Sequence, residues 1–177
     1  MLWSPYDEST YQSVLEHIQT EDVVLDIGAG DLRLSQNMAA IAQKIYAIEV
    51  NPQLLEGGAW PDNLCVMIGD ARQLKFPNGV TVGVLLMRHC THFQIYADKL
   101  KAIGARRLIT NARWRMGVEV VDLRRDRMGF RDLVLGLYAC WCGQVGFKPG
   151  PPSMLTPELD RIINEVKDCP HCQLTGV

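Results

Sequence analysis

Runs of apolar residues alternate with amphipathic segments along the first two thirds of the chain, which predicts strands and helices in turn. The apolar runs at residues 64–68 and 80–87 are continuous enough for strands that are buried on both faces. The full set of predicted strands comprises residues 23–27, 45–49, 64–68, 80–87, 107–110 and 118–123. This alternation is typical of a doubly wound α/β fold with a mostly parallel sheet.

Three helices are predicted between these strands, each with apolar residues at helical spacing. Asp7 can cap the first, whose apolar face carries Tyr11, Val14, Leu15 and Ile18. The second covers residues 32–43 and the third covers residues 93–103. We expect the first helix to pack beside the first strand, and Pro52 to begin a short helix after the second strand.

The alternation weakens after about residue 132, where one strand at residues 133–139 and one helix at residues 156–166 are predicted. The sequence therefore predicts a core at residues 1–132 and a small extension at residues 133–177. An extension of this length cannot build a core alone, so another interaction must hold it.

The turn after the first strand predicts a nucleoside-binding site. Asp26 precedes the glycine pair Gly28 and Gly30, and the second strand ends on Glu49, 19 residues after Gly30. Arg33 stands where a dinucleotide-binding fingerprint has its third glycine, which disfavours an NAD-linked oxidoreductase. Asp26, an acid two residues before the first glycine, instead suits a ligand with an amino group and no phosphate.

Length and composition exclude several classes of protein. With 177 residues and 47% apolar residues, the chain suits one ordinary domain with a small appendage. No segment approaches the roughly 20 apolar residues of a membrane span and no signal peptide is evident, so we expect a cytoplasmic protein without membrane contact. Its six cysteines then favour free thiols or metal ligation over disulfides.

Charge is unevenly distributed, since the second half of the chain carries the basic excess. The arginines concerned are Arg106, Arg107, Arg113, Arg115, Arg124, Arg125, Arg127 and Arg131. They predict either a solvated face partly neutralised by nearby acids, or a surface for an anionic partner such as RNA.

Three segments in register resemble the cofactor motifs of the class I, Rossmann-like S-adenosylmethionine-dependent methyltransferases. They are DIGAG at residues 26–30, IEVNP at residues 48–52 and IGDARQL at residues 68–74. The resemblance spans residues 22–111 and implies a doubly wound, mostly parallel Rossmann-like sheet that binds S-adenosylmethionine.

The resemblance also implies the roles of particular residues. Asp26 and the backbone of residues 28–30 would together surround the methionine part of the cofactor. Glu49 would accept hydrogen bonds from both ribose hydroxyls. Asp70 would bind the adenine amino group beside the Ala71 amide. The complete predicted cofactor site comprises Asp26, Gly28, Ala29, Gly30, Glu49, Val50, Asp70, Ala71 and Met87.

The fourth strand departs from one branch of that family. Methyltransferases acting on amino groups of nucleic acids often carry Asn or Asp, two prolines and an aromatic residue there, whereas this chain reads LLMRHCTHF at residues 85–93. His89 and His92 are the candidate catalytic bases, because a histidine can deprotonate the acceptor as it attacks the methyl group. A structural role for both imidazoles is the alternative. A covalent role for Cys90 is disfavoured because no proline precedes it.

Four cysteines of the extension predict a structural zinc site. Cys140 and Cys142 form one pair and Cys169 and Cys172 the other, each beside glycine or proline. The alternative is that these are unpaired core cysteines, as Cys65 on the third strand is expected to be.

Together these features predict an S-adenosylmethionine-dependent methyltransferase with a small zinc-knuckle-like C-terminal element and a small-molecule or RNA acceptor. The alternative is a non-catalytic nucleoside-binding scaffold whose basic, zinc-bearing half binds RNA or a protein partner.

Overall fold

A computed structural model describes residues 4–55, 58–114 and 117–175 of the chain. Its helices are α1 (Glu8–Leu15), α2 (Arg33–Ala39), α3 (Phe93–Ala102) and α4 (Pro170–Thr175). Short 3₁₀ helices cover Pro52–Leu55, Pro152–Met154 and Leu159–Arg161. Among the described residues, no helix is long and apolar enough to cross a bilayer.

Six strands form the larger sheet: β1 (Val23–Ile27), β2 (Lys44–Glu49), β3 (Leu64–Ile68), β4 (Val82–Leu85), β5 (Arg107–Thr110) and β6 (Glu119–Asp122). Their order is β3-β2-β1-β4-β5-β6, and every pairing is parallel except that of β6 with β5. The strand order reverses between β1 and β4. In open α/β sheets, ligands bind at such a switch point, beyond the carboxyl ends of the strands.

Apolar side chains cover both faces of this sheet. On one face, Tyr11 and Val14 of α1 pack with Met38 of α2 and Val24 of β1. On the other, α3 packs against Leu25 and further residues of the sheet. Successive residues of β1 therefore enter opposite cores, as the pleat of a strand requires.

Helix α1 begins at the predicted cap, because Oδ1 of Asp7 accepts a hydrogen bond of 2.8 Å from the Thr10 amide. The cap satisfies one of the amides that the first turn of a helix leaves unpaired.

A second sheet occupies the C-terminal part of the chain. It contains β7 (Met128–Gly129), β8 (Gly136–Cys140), β9 (Val145–Lys148) and β10 (Ile163–Lys167), in the order β7-β10-β8-β9. The prediction of a helix at residues 156–166 is therefore wrong. The segment has helical spacing, but its last part pairs in parallel with β8 and β7, and these non-local pairings decide its conformation.

Cys65 is also placed differently from the prediction, because it is exposed rather than buried. It lies on β3, the edge strand of the six-stranded sheet. A strand at an edge has one neighbour and less cover than a central strand, so its apolar sequence did not guarantee burial on both faces.

Candidate functional site

The glycine turn after β1 is bonded to the end of β2. The amides of Gly28 and Ala29 donate hydrogen bonds to the Ile48 carbonyl oxygen at 2.9 and 3.0 Å. Gly28 has a φ of 75°, which glycine adopts readily, and a Cβ there would collide with the Met87 side chain. The turn therefore brings the backbone that follows β1 close to Glu49, with the Met87 side chain packed over Gly28.

Glu49 is buried and is held by two backbone amides. Gly30 N–H donates to its Oε2 and Asn51 N–H to its Oε1, both at 2.8 Å. Each carboxylate oxygen has a second lone pair that these bonds leave unused. A fixed carboxylate with one spare acceptor on each oxygen can receive two neighbouring hydroxyl groups.

Asp26 is buried on β1, with its Oδ2 accepting a hydrogen bond of 2.6 Å from the Ser35 hydroxyl. Burial raises the pKa of the Asp26 carboxyl to about 6, with the Ser35 bond opposing the rise and the charge of Glu49 adding to it. A carboxyl group with this pKa changes its charge near neutral pH. A bound cationic ligand would stabilise the charged form.

We expect Asp26→Asn to stabilise the unliganded protein at pH 7 by about 3 kcal/mol. The folded pKa exceeds the ordinary value of 3.8, so the folded state binds the proton more tightly and wild-type stability falls as pH rises from about 4 to 6. Denaturant unfolding at pH 4 and pH 7 measures the effect. The gain should vanish at the lower pH, and the exposed Asp62→Asn serves as control. An equal gain at both pH values would contradict this assignment.

A cleft with about 500 Å³ of empty space opens beyond the carboxyl ends of β1, β2 and β4. It is lined by five of the predicted cofactor residues and one predicted catalytic residue: Gly28, Val50, Asp70, Ala71, Met87 and His92. A neighbouring pocket shares Gly28 and adds Asp26 and Ala29, with the N-terminal segment 4–6 as a wall. Seven of the nine predicted cofactor residues thus line these two pockets. Gly30 and Glu49, which are hydrogen-bonded to each other, line neither pocket.

Asp70 is hydrogen-bonded to Arg72, which is not among the predicted site residues. Arg72 Nη2 lies 2.6 Å from Asp70 Oδ2, and the Arg72 amide and Nε also donate to the carboxylate. These bonds lower the pKa of Asp70 to about 2. A ligand amino group would have to share the carboxylate with Arg72 or displace it. The close spacing of Asp70 and Arg72, with only Ala71 between them, was the available signal in the sequence.

The two candidate catalytic histidines occupy different surroundings. His92 is half-buried, with its Nε2 lying 3.5 Å from Arg72 Nη1 and its Nδ1 lying 3.2 Å from Thr91 Oγ1. His89 is exposed, and no described residue hydrogen-bonds its side chain. His92 makes no side-chain cap of α3, so the structural role of a helix cap does not apply to it. Burial raises the pKa of the Cys90 thiol, which disfavours a nucleophilic thiolate there.

The four cysteines of the extension converge from β8, the turn after it and the start of α4. Their Sγ atoms all lie within 4.8 Å of one another. Neighbouring pairs are Cys142–Cys169 at 3.5 Å, Cys140–Cys172 at 3.6 Å and Cys169–Cys172 at 3.7 Å. A tetrahedral zinc site with Zn–S bonds of about 2.3 Å has S–S edges of roughly 3.8 Å. The cluster can therefore hold zinc with little rearrangement.

A buried ionic cluster joins the two sheets. The guanidinium of Arg113, after β5, pairs with Glu119 of β6 at 2.7 Å and with Glu165 of β10 at 2.6 Å. Trp141, between two of the cysteines, donates from Nε1 to Glu165 Oε2 at 3.2 Å. Arg113 also lies over the Phe93 ring at the start of α3. The cluster connects the cysteine element to the edge of the sheet that carries the candidate site.

Some of the basic excess is neutralised in the structure. Arg113 is buried in its ion pairs, Arg107 pairs with Asp22 at 2.7 Å, and Arg124 contacts Asp122 at 3.3 Å. Arg106 and Arg125 remain exposed. Arg115, which was included in the predicted basic run, lies outside the described residues.

Comparison with known proteins agrees with this architecture. No protein-family model matches the chain. A probable ribosomal RNA small subunit methyltransferase A from Pyrobaculum islandicum is 31% identical over 80 residues, which cover 42% of this chain and 34% of that protein. The chain thus matches about a third of the length of this relative.

Two solved structures share the fold. Precorrin 8w decarboxylase from Methanobacterium thermoautotrophicum matches with 23% identity and a TM-score of 0.50, over 60% of this chain and 63% of that one. A dimethyladenosine transferase from Plasmodium falciparum matches with 20% identity and a TM-score of 0.50, over 59% and 41%. The prediction of a doubly wound Rossmann-like sheet, the fold of the class I S-adenosylmethionine-dependent methyltransferases, is therefore confirmed.

Proposed function

We propose that the protein is an S-adenosylmethionine-dependent methyltransferase whose acceptor is an RNA. The observation that carries the cofactor assignment is the position of Glu49, buried and fixed by two amides beside the glycine turn. A pair of ribose hydroxyls can use its remaining lone pairs. Asp26 suits the cationic amino group of the methionine part, since a positive charge stabilises its ionised form.

The adenine part of the cofactor belongs in the cleft between Val50, Ala71 and Met87. Asp70 would accept a hydrogen bond from the adenine amino group there while retaining part of its contact with Arg72. When bound, the cofactor supplies a methyl group on a sulfonium, which is already a strong electrophile. The protein therefore contributes mainly by positioning the two reactants and excluding water.

RNA is favoured as the acceptor by two observations. The relative that shares 31% identity over 80 residues is named as a ribosomal RNA methyltransferase. In addition, Arg106 and Arg125 are exposed and can neutralise phosphates, although both lie at the amino end of β5, so they would contact RNA away from the cleft. A small-molecule acceptor is the second candidate. Incubation of the wild-type protein with total RNA and S-adenosylmethionine carrying a radioactive methyl group decides between the two. Labelled RNA supports the RNA acceptor, and unlabelled RNA favours a small molecule.

Isothermal titration with S-adenosylmethionine tests the proposed cofactor. We expect saturable binding that weakens below about pH 6, because protonation of Asp26 removes its charge. NAD should produce no binding heat. Absence of binding to S-adenosylmethionine would contradict the methyltransferase assignment and leave the non-catalytic scaffold that binds RNA or a protein.

His92 is the better placed of the two candidate bases, because it lines the cofactor cleft whereas His89 is exposed. General-base catalysis typically contributes about 10²- to 10⁴-fold. We therefore expect His92→Ala to lower turnover by about 100-fold with little change in cofactor affinity, and His89→Ala to have a smaller effect. Single-turnover methylation and titration with the cofactor separate these two quantities. Equal turnover in both variants and the wild type would show that neither imidazole takes the proton.

We also propose that Cys140, Cys142, Cys169 and Cys172 bind a structural Zn²⁺. Support comes from the near-tetrahedral spacing of their Sγ atoms and from the small size of the cluster of buried residues around them. The ion would cross-link β8 to the start of α4 and so compensate for the limited apolar core of the second sheet.

A further inference from the structure

Asn111 follows β5 directly and is only 2% exposed. Neither its Oδ1 nor its Nδ2 has a hydrogen-bond partner in the part of the chain that the structure describes. Buried amides are nearly always paired, because an unpaired donor or acceptor loses its bonds to water without replacement. An unpaired amide at the carboxyl end of a strand in this fold therefore requires an explanation.

A polar pocket with about 360 Å³ of empty space adjoins this residue. Asn111 forms part of its wall together with Ser9, Thr10, Ser13 and Arg88. The three hydroxyl groups come from α1, and their hydrogens are already donated to Asp7 and to the Ser9 carbonyl oxygen. They thus offer acceptor lone pairs, while Arg88 brings a positive charge.

The pocket lies next to the proposed cofactor site. Leu85 of β4 pairs with Thr110 of β5, and the Thr110 hydroxyl donates to the Leu85 carbonyl oxygen at 2.7 Å. Asn111 is therefore level with the segment 86–88. That segment contributes Met87 to the cofactor cleft and Arg88 to the polar pocket. A ligand in the pocket would approach the cofactor across this one short segment.

Both amide atoms of Asn111 are unpaired but covered, so a ligand must displace part of the pocket wall to reach them. It would then meet a donor beside an acceptor, which matches a planar ligand edge with the complementary pattern. Nucleobases have such edges, and Asn commonly pairs with them through two hydrogen bonds. Arg88 adds a partner for the phosphate of the same nucleotide, although an exposed contact with Asp7 at 3.9 Å competes for it. Among the described residues of the pocket wall, no other side chain offers a donor and an acceptor in one plane.

We propose that this pocket is the subsite for the target nucleotide and that the Asn111 amide binds the edge of its base. The inference rests on the proposed methyltransferase function and adds a specificity-determining residue to it. In this proposal the residue that follows β5 recognises the base. The segment 85–93 after β4 does not, since it lacks the motif of Asn or Asp, two prolines and an aromatic residue.

The test begins with the unmodified protein saturated with S-adenosylhomocysteine. The side-chain amide resonances of Asn111 are followed by NMR during titration with AMP, GMP, CMP and UMP. We expect a saturable shift with at least one nucleotide and none with ribose 5-phosphate. The absence of a shift with all four nucleotides would overturn the proposal. The same shift with ribose 5-phosphate would do so as well, because the base would then not be recognised.

Asn111→Leu supplies an independent test, with Asn63→Leu as the matched control. The Asn63 amide is partnered, donating to the carbonyl oxygens of Ala39 and Ala42. We expect Asn63→Leu to lower Tm and retain RNA methylation. Asn111→Leu should leave Tm equal or higher and reduce RNA methylation by about 10- to 100-fold at unchanged cofactor affinity. A large fall in Tm with full methylation would make Asn111 a structural residue and overturn the proposal.

Cofactor binding and nucleotide binding can be tested separately. If the cofactor does not bind, the methyltransferase function fails, and the nucleotide titration repeated without S-adenosylhomocysteine still tests the pocket. If the cofactor binds and no nucleotide shifts the Asn111 amide, the subsite alone is refuted.

Discussion

Replacing Glu49 by glutamine is expected to weaken binding of S-adenosylmethionine by about 100-fold or more. The change removes the charge and one of the two acceptor oxygens. It also places an amide donor against the backbone N–H of either Gly30 or Asn51, both of which now donate to the carboxylate. Isothermal titration of the variant measures the loss, and we expect Tm to fall as well because the turn after β1 loses a bond.

The control for this variant is Glu21→Gln, which makes the same chemical change at an exposed position before β1. Its cofactor affinity and Tm should equal those of the wild type. If Glu49→Gln binds the cofactor as tightly as this control, the carboxylate does not hold the ribose and the site must be assigned differently.

Removal of the proposed zinc ion is expected to have the largest effect on stability. Zinc-finger peptides gain about 10–16 kcal/mol from the metal, and the cysteine cluster here has comparable ligands. Cys169→Ser, or treatment with a strong chelator, should lower the protection of both sheets from hydrogen exchange, most strongly in β8 and β10, and lower the Tm of the chain. Metal analysis of the purified protein should find a stoichiometric amount of zinc.

Cys65→Ser provides the comparison, because Cys65 is exposed on an edge strand away from the cluster. It should retain zinc and the wild-type Tm. A protein that contains no zinc and tolerates Cys169→Ser would show that the four thiols are only small buried side chains.

The sequence predicted the central sheet well because its strands are short, apolar and separated by recognisable turns. The bounds of β1, β3 and β5 agree with the prediction at both ends. The order of the strands in the sheet was harder to predict from the sequence. Cys65 is exposed because that order places β3 at the edge of the sheet. Likewise β10 could not be distinguished from a helix, since it is stabilised by pairing with β7 and β8 rather than by its local sequence.

The candidate site was predicted through its motifs, and its unpredicted members are those that act through spatial neighbours. Ser35 reaches Asp26 from α2, and Arg72 covers Asp70. Asn111 carries no sequence motif, so only its burial without a partner draws attention to it. Arg113 belonged to a run of arginines expected at the surface, yet two acidic partners from different strands allow its burial.

The Arg113 cluster makes the two sheets depend on each other. A protein truncated after Asp132 would keep Arg113 and Glu119 but lose Glu165, and it would lose Trp141 from the core beneath α3. A buried guanidinium deprived of one partner is costly, so the shortened chain would be destabilised within the six-stranded sheet itself. The two sheets should accordingly unfold in a single cooperative transition, and cofactor-binding fragments shorter than the whole chain should be difficult to obtain.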